Sequence, residues 1–331
     1  MNNRRKLVIA LGACALAAPL SSFAQSRGKA WRVGFLSMRN RPDSLDTDIR
    51  GGPFLRSMRE LGYVEGKNLL VEWRFAEGSV ERLQDFANDL AQKKVDVIVA
   101  EVTTSIHAAQ KATTKIPIVM GGATDPVKSG FVRSLAHPGG NITGCSNISE
   151  ELSPKLLEML LSMVPGLSRV AVMANLGNTS NVQMLARVQS AAQRTRAKIL
   201  PFDVRTTAGI EKAFSAMARE KAGALMVPRD SLFIQEARHI AKLAVTNRLP
   251  SIGGLREYTE AGGLMSYGPN TEQLYRRVAN YVDKILRGAT PGNLPVEQPT
   301  IFELVINGKT AKALGLTIPL SLLISAENVI E

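Results

Sequence analysis

Short apolar, β-branched runs alternate with segments of helical periodicity along nearly the whole chain after residue 30. The run at 95–100, VDVIVA, is almost entirely apolar, as expected for a strand that is covered on both faces. A regular order of strand and then helix predicts a parallel sheet with helices on both sides. In the first half of the chain, strands are predicted at 31–36, 69–74, 95–100 and 116–120.

The alternation breaks at residues 137–141, His-Pro-Gly-Gly-Asn, and then begins again. Ser153, followed by Pro154, is the expected N-cap of the next helix. A late helix, capped by Asn270 and closed by Gly288, precedes a Pro- and Gly-rich stretch and a final strand. The predicted fold class is therefore α/β, with two doubly wound parallel-sheet lobes joined by a hinge. Further strands are predicted at 170–173, 199–202, 224–227, 250–252, 264–267 and 302–306.

The two series assign most of the chain to two lobes of comparable length. The first lobe is predicted to comprise residues 30–146 plus about 270–298. The second is predicted to comprise residues 147–269 plus about 299–331. The chain would then cross between the lobes about three times, and several crossings suit a hinge better than a loose linker does.

Residues 1–24 have the three-part build of a secretory signal peptide: a cationic head, an apolar run and a cleavage site after Ala24. The apolar run, Leu7 to Leu20, is shorter than the roughly 20 residues that a membrane span needs. No later stretch is long and apolar enough, so a soluble periplasmic protein is expected. Two alternatives stay open: a lipoprotein anchored through Cys14, and export by the twin-arginine route through Arg4-Arg5.

Composition excludes several classes of protein. Removing Arg4, Arg5 and Lys6 lowers the formal charge from +12 to +9, and the remaining basic residues are scattered. A nucleic-acid-binding surface would need a clustered basic stripe, so no nucleic-acid partner is expected. After the leader, Cys145 is the only cysteine, which precludes an internal disulfide.

The common enzyme motifs are missing from the sequence. There is no G-x-S-x-G nucleophile elbow, no His-x-x-x-His spacing and no G-x-G-x-x-G dinucleotide fingerprint. The segment at 62–68 resembles a P-loop, but it precedes a strand rather than a helix and is better explained as a helix end and turn. We therefore expect neither a catalytic set, nor a cofactor, nor a metal site.

Polar side chains instead collect in the loops that follow the predicted strands. In open α/β sheets, ligands bind beyond the carboxyl ends of the strands, and hydroxyls and amides at helix starts can hold an anion. Each of these residues could equally be an ordinary helix cap. The candidate ligand-binding residues are Ser37, Thr103, Thr104, Ser105, Thr124, Asp125, Asn175 and Asp230.

Several segments resemble one protein family. Residues 54–68 are similar to the R-E-L-G-Y-V-E-G-x-N signature of the tryptophan/tyrosine-type ABC transporter substrate-binding proteins. Residues 116–119, 124–127, 134–144 and 304–316 continue the resemblance, although His137 stands where many relatives have Arg. The resemblance implies a type I periplasmic binding fold whose two lobes close on a small molecule. It also implies delivery of this ligand to a membrane permease and its ATPase, and we expect the receptor to be a monomer.

For an amino-acid-like ligand, we expect Thr103, Thr104 and Ser105 to hold the carboxylate and Asp230 to pair with the ammonium group. Tyr258 is expected either to provide an aromatic wall or simply to pack. Other functions use a similar fold. A periplasmic sensor for a signalling receptor stays open as an alternative, as does an exported α/β hydrolase. Sugar-responsive repressors do not fit, because their DNA-binding helices would occupy the position of the leader.

Overall fold

The computed structural model describes residues 30–331. The predicted leader, 1–24, and its alternative anchor Cys14 lie outside the described residues, so both stay predictions. Among residues 30–331, no helix combines the length and the apolar character needed to cross a membrane.

The first sheet contains five strands, all parallel, in the order β2-β1-β3-β4-β5. Its helices are α1 (Gly51–Glu60), α2 (Val80–Gln92) and α3 (Thr103–Ala112). The fifth strand was not predicted, because its sequence, ITGCSN, carries few strand-forming residues. The strands are β1 (Trp31–Ser37), β2 (Leu69–Phe75), β3 (Val97–Ala100), β4 (Ile118–Thr124) and β5 (Ile142–Asn147).

The second sheet contains seven strands, in the order β12-β11-β10-β9-β8-β6-β7. All neighbouring strands are parallel except β10 and β11, which pair antiparallel. The strands are β6 (Arg169–Ala174), β7 (Lys198–Asp203), β8 (Ala224–Val227), β9 (Ser251–Gly253), β10 (Met265–Pro269), β11 (Phe302–Asn307) and β12 (Asn328–Ile330). The helices that follow β5 along the chain are α4 (Ser149–Met163), α5 (Thr179–Ala192), α6 (Thr207–Arg219), α7 (Ser231–Gln235), α8 (Ala237–Thr246), α9 (Arg256–Glu260), α10 (Thr271–Leu286), α11 (Gly308–Ala313) and α12 (Leu320–Ser325), and all but α10 belong to the second sheet.

Both sheets bury apolar side chains on both faces. Successive strand residues point to opposite faces, and Val170 and Val172 accordingly pack into one core of the second sheet while Ala171 and Met173 pack into another. The first sheet divides its core in the same way. The doubly wound α/β fold is therefore confirmed. We call the first sheet with its helices the first lobe, and the second sheet with its helices the second lobe.

Helix α10 connects the two sheets. It follows β10 of the second sheet, yet its residues Leu274, Tyr275 and Val278 are buried in a core of the first sheet. The chain then returns to the second sheet through residues 294–301, where the backbone N–H of Ser146 donates to the carbonyl of Glu297 over 2.9 Å. The chain thus passes between the sheets after β5, before α10 and before β11.

The predicted start of α4 was wrong. The helix begins at Ser149, so Ser153 lies inside it and Pro154 is an interior proline. A proline has no N–H to donate to the carbonyl four residues earlier. The Ser153 hydroxyl donates to that carbonyl, on Glu150, over 2.7 Å and so replaces the missing bond.

Candidate ligand-binding site

A cleft of about 670 Å³ lies between the carboxyl ends of the strands of the two lobes. Residues that follow β3 and β4 line one side, and residues that follow β6 and β8 line the other. A volume of this size falls within the usual range for small-molecule sites, about 300–1,000 Å³. The parallel strands therefore bring their terminal loops together around this cleft.

The lobes touch at the edge of the cleft. The Thr104 and Ser231 hydroxyl oxygens are 3.5 Å apart, and Gln235 Nε2 donates to the Glu77 carbonyl over 3.4 Å. A ligand in this cleft can therefore contact both lobes at once.

Six of the nine predicted residues line the cleft: Thr103, Thr104, Thr124, Asp125, Asn175 and Asp230.

The first turn of α3 offers backbone N–H groups to the cleft as well as hydroxyls. Its N-cap residue is Val102, which has no side-chain acceptor, and among the described residues nothing accepts from the backbone N–H of Thr104 or Ser105. Unsatisfied N–H groups at a helix start attract a carboxylate.

The other three predicted residues do not line the cleft. The Ser37 hydroxyl is buried and donates to Glu101. Ser105 Oγ exchanges hydrogen bonds with the backbone of Val102 at 2.8 and 2.9 Å. Tyr258 is buried and its hydroxyl donates to Ser251 over 2.7 Å. All three hydroxyls are engaged inside the protein, so none of these three side chains is available to a ligand.

Asp230 is the N-cap of α7, and four donors already engage its carboxylate. Oδ1 accepts from the Leu232 N–H over 3.0 Å. Oδ2 accepts from the amide groups of Asn178 over 2.8 Å and of Asn175 and Asn181 over 3.4 Å each. Little acceptor capacity is left for a ligand ammonium group, and the predicted pairing stays a prediction.

Arg229, which the sequence reasoning missed, places an unpaired guanidinium in the cleft. It makes no ion pair and donates no side-chain hydrogen bond within residues 30–331. Burial, and then the neighbouring Arg50 cation, lower the pKa of Arg229. Gly122 leaves room for the Arg229 guanidinium, because a Cβ at position 122 would lie 3.0 Å from Arg229 Nη2. Gly122 also has φ +132°, a backbone conformation that favours glycine. The unpaired cation is therefore held against the first lobe.

Glu150, also missed, places a buried carboxylate in the same cleft. No cation of the described chain lies within ion-pair distance of it. Its hydrogen-bond partner is the Gln183 amide once that amide is turned so that its nitrogen faces the carboxylate. In this orientation the nitrogen donates to Oε2 over 2.7 Å and the amide oxygen accepts from Lys128. Burial, and then the nearby Glu151 and Asp125, raise the pKa of Glu150. The prediction that α4 begins at Ser153 had left Glu150 outside the helix that positions it.

A smaller cavity, which we call the side pocket, opens from the cleft into the second lobe. Its mouth consists of the four residues that line both spaces: Thr124, Glu150, Ser180 and Arg229. Its interior is largely apolar and includes Leu152, Leu156, Met184, Met226, Val227 and Tyr267. An apolar space behind two opposite charges is a suitable environment for the side chain of a zwitterion. Within the described chain, no three His, Cys, Asp or Glu side chains are grouped as metal ligands would be.

Comparison with known proteins agrees with this architecture. Residues 41–330 match the family model described as ABC transporter substrate binding protein, and the chain belongs to that family. A curated tyrosine-binding protein of Clostridioides difficile (strain R20291) is 28% identical over 301 residues, which is 91% of this chain and 84% of that protein.

Solved structures extend the comparison to the fold. A conserved domain protein of Vibrio cholerae superposes with a TM-score of 0.82 at 29% identity, covering 91% of this chain and 100% of that one. An ABC domain of Streptococcus pneumoniae, solved with L-Trp, has a TM-score of 0.83 at 24% identity over the same shares. The predicted family and the type I periplasmic binding fold are both confirmed.

The chain is thus an extracytoplasmic solute-binding receptor of an ABC import system. Its family comprises binding proteins rather than enzymes, and its members work with the membrane components of an importer.

Proposed function

We propose that this receptor captures an aromatic α-amino acid and presents it to its permease and ATPase. The observation that carries the proposal is the pair of unpaired opposite charges, Arg229 and Glu150, which share the mouth of the side pocket. An α-amino acid carries one carboxylate and one ammonium group on the same carbon. It can therefore satisfy both side chains together.

The ligand carboxylate would lie between Arg229 and the first turn of α3. Arg229 comes from the second lobe, while Thr103, Thr104 and the free backbone amides come from the first. Charge-assisted hydrogen bonds are roughly twice as strong as neutral ones. Contacts from both lobes to one group would favour the closed arrangement.

The ammonium group would lie against Glu150, within reach of the polar residues Thr124 and Asp125 on the opposite side of the cleft. This assignment replaces Asp230 as the main partner, because the Glu150 carboxylate has one hydrogen-bond donor and Asp230 has four. Asp230 and Asn175 would then shape the second-lobe wall of the site.

Two observations support an aromatic side chain. A relative at 28% identity is a tyrosine-binding protein, and the side pocket behind the charged pair is lined mostly by apolar side chains. The location, the oligomeric state and the lack of catalysis are proposed from the sequence. We propose that the receptor is a periplasmic monomer, released by cleavage after Ala24, and that it performs no chemistry on its ligand.

A thermal-shift screen of the exported protein tests the proposal. A ligand that binds only the native state adds about 2.7 kcal/mol of stability at 100 times its Kd. We expect L-tyrosine or L-tryptophan to raise the Tm, and expect tyramine and 3-(4-hydroxyphenyl)propionate, which each lack one charge, not to do so. A sugar that raises the Tm while every amino acid fails would contradict the proposal.

A further inference from the structure

We propose that the side pocket receives the ligand's ring and that Ser149 selects rings that carry a polar hydrogen, as a phenol O–H or an indole N–H does. This inference rests on the proposed function and specifies how the same site would discriminate among aromatic amino acids.

The position of the charged pair fixes the direction of the ligand side chain. Glu150 and Arg229 line both the cleft and the side pocket, whereas Leu156, Met184 and Met226 line the side pocket but not the cleft. An amino acid whose α-carbon groups bind the two charges sits at the mouth of the pocket. Its side chain then has an apolar cavity directly beside it.

Ser149 is the unusual residue in that cavity. Its Oγ is buried and has no hydrogen-bond partner among the described residues. Its backbone N–H donates to Asn147 Oδ1 over 3.1 Å, so this turn does not involve the hydroxyl. A buried hydroxyl without a partner destabilises a protein, and native structures seldom leave one unsatisfied. A ring that donates a hydrogen bond would satisfy Ser149, and a phenyl ring would not.

Met184 and Met226 limit the space that the side pocket offers to a ring. The side pocket itself holds about 30 Å³, whereas a cavity of about 150 Å³ accommodates benzene. Met184 and Met226 are unbranched and have several rotatable bonds, so they can retract as a ring enters. The pocket also opens into the cleft of about 670 Å³, so only part of the ring needs to enter it. The loaded state should therefore differ from this one in the conformation of these two side chains.

Isothermal titration of the exported protein with L-tyrosine, L-tryptophan and L-phenylalanine tests the role of Ser149. We expect Ser149→Ala to weaken tyrosine and tryptophan binding about tenfold, the usual scale of one lost hydrogen bond, and to leave phenylalanine within about twofold. Ser215→Ala, on the exposed face of α6, should change none of the three. Equal losses for all three ligands, or no loss, would overturn the role of Ser149.

Met184→Trp tests the pocket itself, because a large ring would fill the space. We expect it to abolish binding of the three aromatic ligands while the far-ultraviolet circular dichroism stays that of the wild type. Wild-type affinity in this variant would overturn the side pocket as the ring site and leave the proposed function intact. Failure of the wild type to bind any amino acid would instead reject the proposed function.

Discussion

Keeping Arg229 and Glu150 in their charged forms costs the folded protein free energy. Both are held in a partly dehydrated site without an ion-pair partner. Burial lowers the pKa of Arg229 and raises the pKa of Glu150, which favours the neutral form of each. Desolvating a charge costs free energy unless an opposite charge compensates for it. The proposed zwitterionic ligand would supply both opposite charges, so part of its binding energy would come from relieving a cost that folding imposed.

Glu150 predicts a pH dependence. Its pKa is raised in the folded protein, above the ordinary value of about 4.3. Protonated Glu150 therefore contributes to stability at low pH, and this contribution is lost as the pH rises through the raised pKa. Only the ionised form attracts an ammonium group. We therefore expect the Kd for L-tyrosine to rise as the pH falls from 7 through the raised pKa.

Glu150→Gln provides the comparison for that pH profile. The variant keeps the shape of the side chain but cannot ionise, so we expect weaker binding at pH 7 and a nearly flat profile over the pH range in which the wild type changes. Titration calorimetry at several pH values measures both. A variant that binds as tightly as the wild type, with the same pH profile, would exclude Glu150 as the ammonium partner.

Individual site residues were only partly predictable. Thr103, Thr124 and Asn175 could be located at the cleft because strand ends converge at one edge of a parallel sheet, and their contact with a ligand stays a prediction. Arg229 and Glu150 were not identified, because a charge becomes a ligand contact only when no partner reaches it. Whether a partner reaches it depends on side chains far away in the chain, as Ser37 and its buried partner Glu101 illustrate.

At the scale of elements, α10 links the lobes. It belongs to the chain segment between two strands of the second sheet, yet it packs in a core of the first, where Tyr63 also donates to Asp283 over 2.9 Å. Its caps, Asn270 and Gly288, were legible in the sequence. Strand β5 was not, since its formation depends on pairing with β4 rather than on its own residues.

Ile285→Ala tests how firmly α10 is held. Ile285 is buried against the first sheet, and replacing a buried isoleucine by alanine costs about 2–5 kcal/mol. We expect a loss of this size in urea unfolding. Arg276→Ala lies on the exposed side of the same helix and forms only surface ion pairs, so its change should stay within about 0.5 kcal/mol. Equal effects would mean that α10 is not part of that core.

At the scale of the whole molecule, Arg50 joins the lobes. Its Nη1 donates to Glu101 of the first lobe and its Nη2 to Glu257 of the second, each over 2.6 Å. Arg50 is only 2% exposed, so this pair is shielded from salt better than a surface pair would be. Arg50 and Glu257 are far apart in the sequence, and no periodicity pointed to their contact.

Glu257→Gln should loosen that contact. The variant removes the charge that attracts Arg50 across the lobes, so the empty protein should populate more open arrangements. We expect a larger radius of gyration in small-angle scattering and a several-fold higher Kd, because only the closed fraction contacts ligand from both lobes. Glu60→Gln, which alters an exposed pair, is the control. An unchanged radius of gyration and Kd would show that the pair has no part in closure.

Arg229 is the residue through which we expect one amino acid to bind between the lobes. Titration calorimetry of the exported protein with L-tyrosine, alongside Arg229→Met and Arg205→Met, tests it most directly. Arg205 is the matched control because Asp203 already pairs with it over 2.9 Å. We expect a single site in the wild type and little change in Arg205→Met. Binding in Arg229→Met should be at least a hundredfold weaker, as expected for losing a buried charged contact. Equal affinities in all three proteins would contradict it.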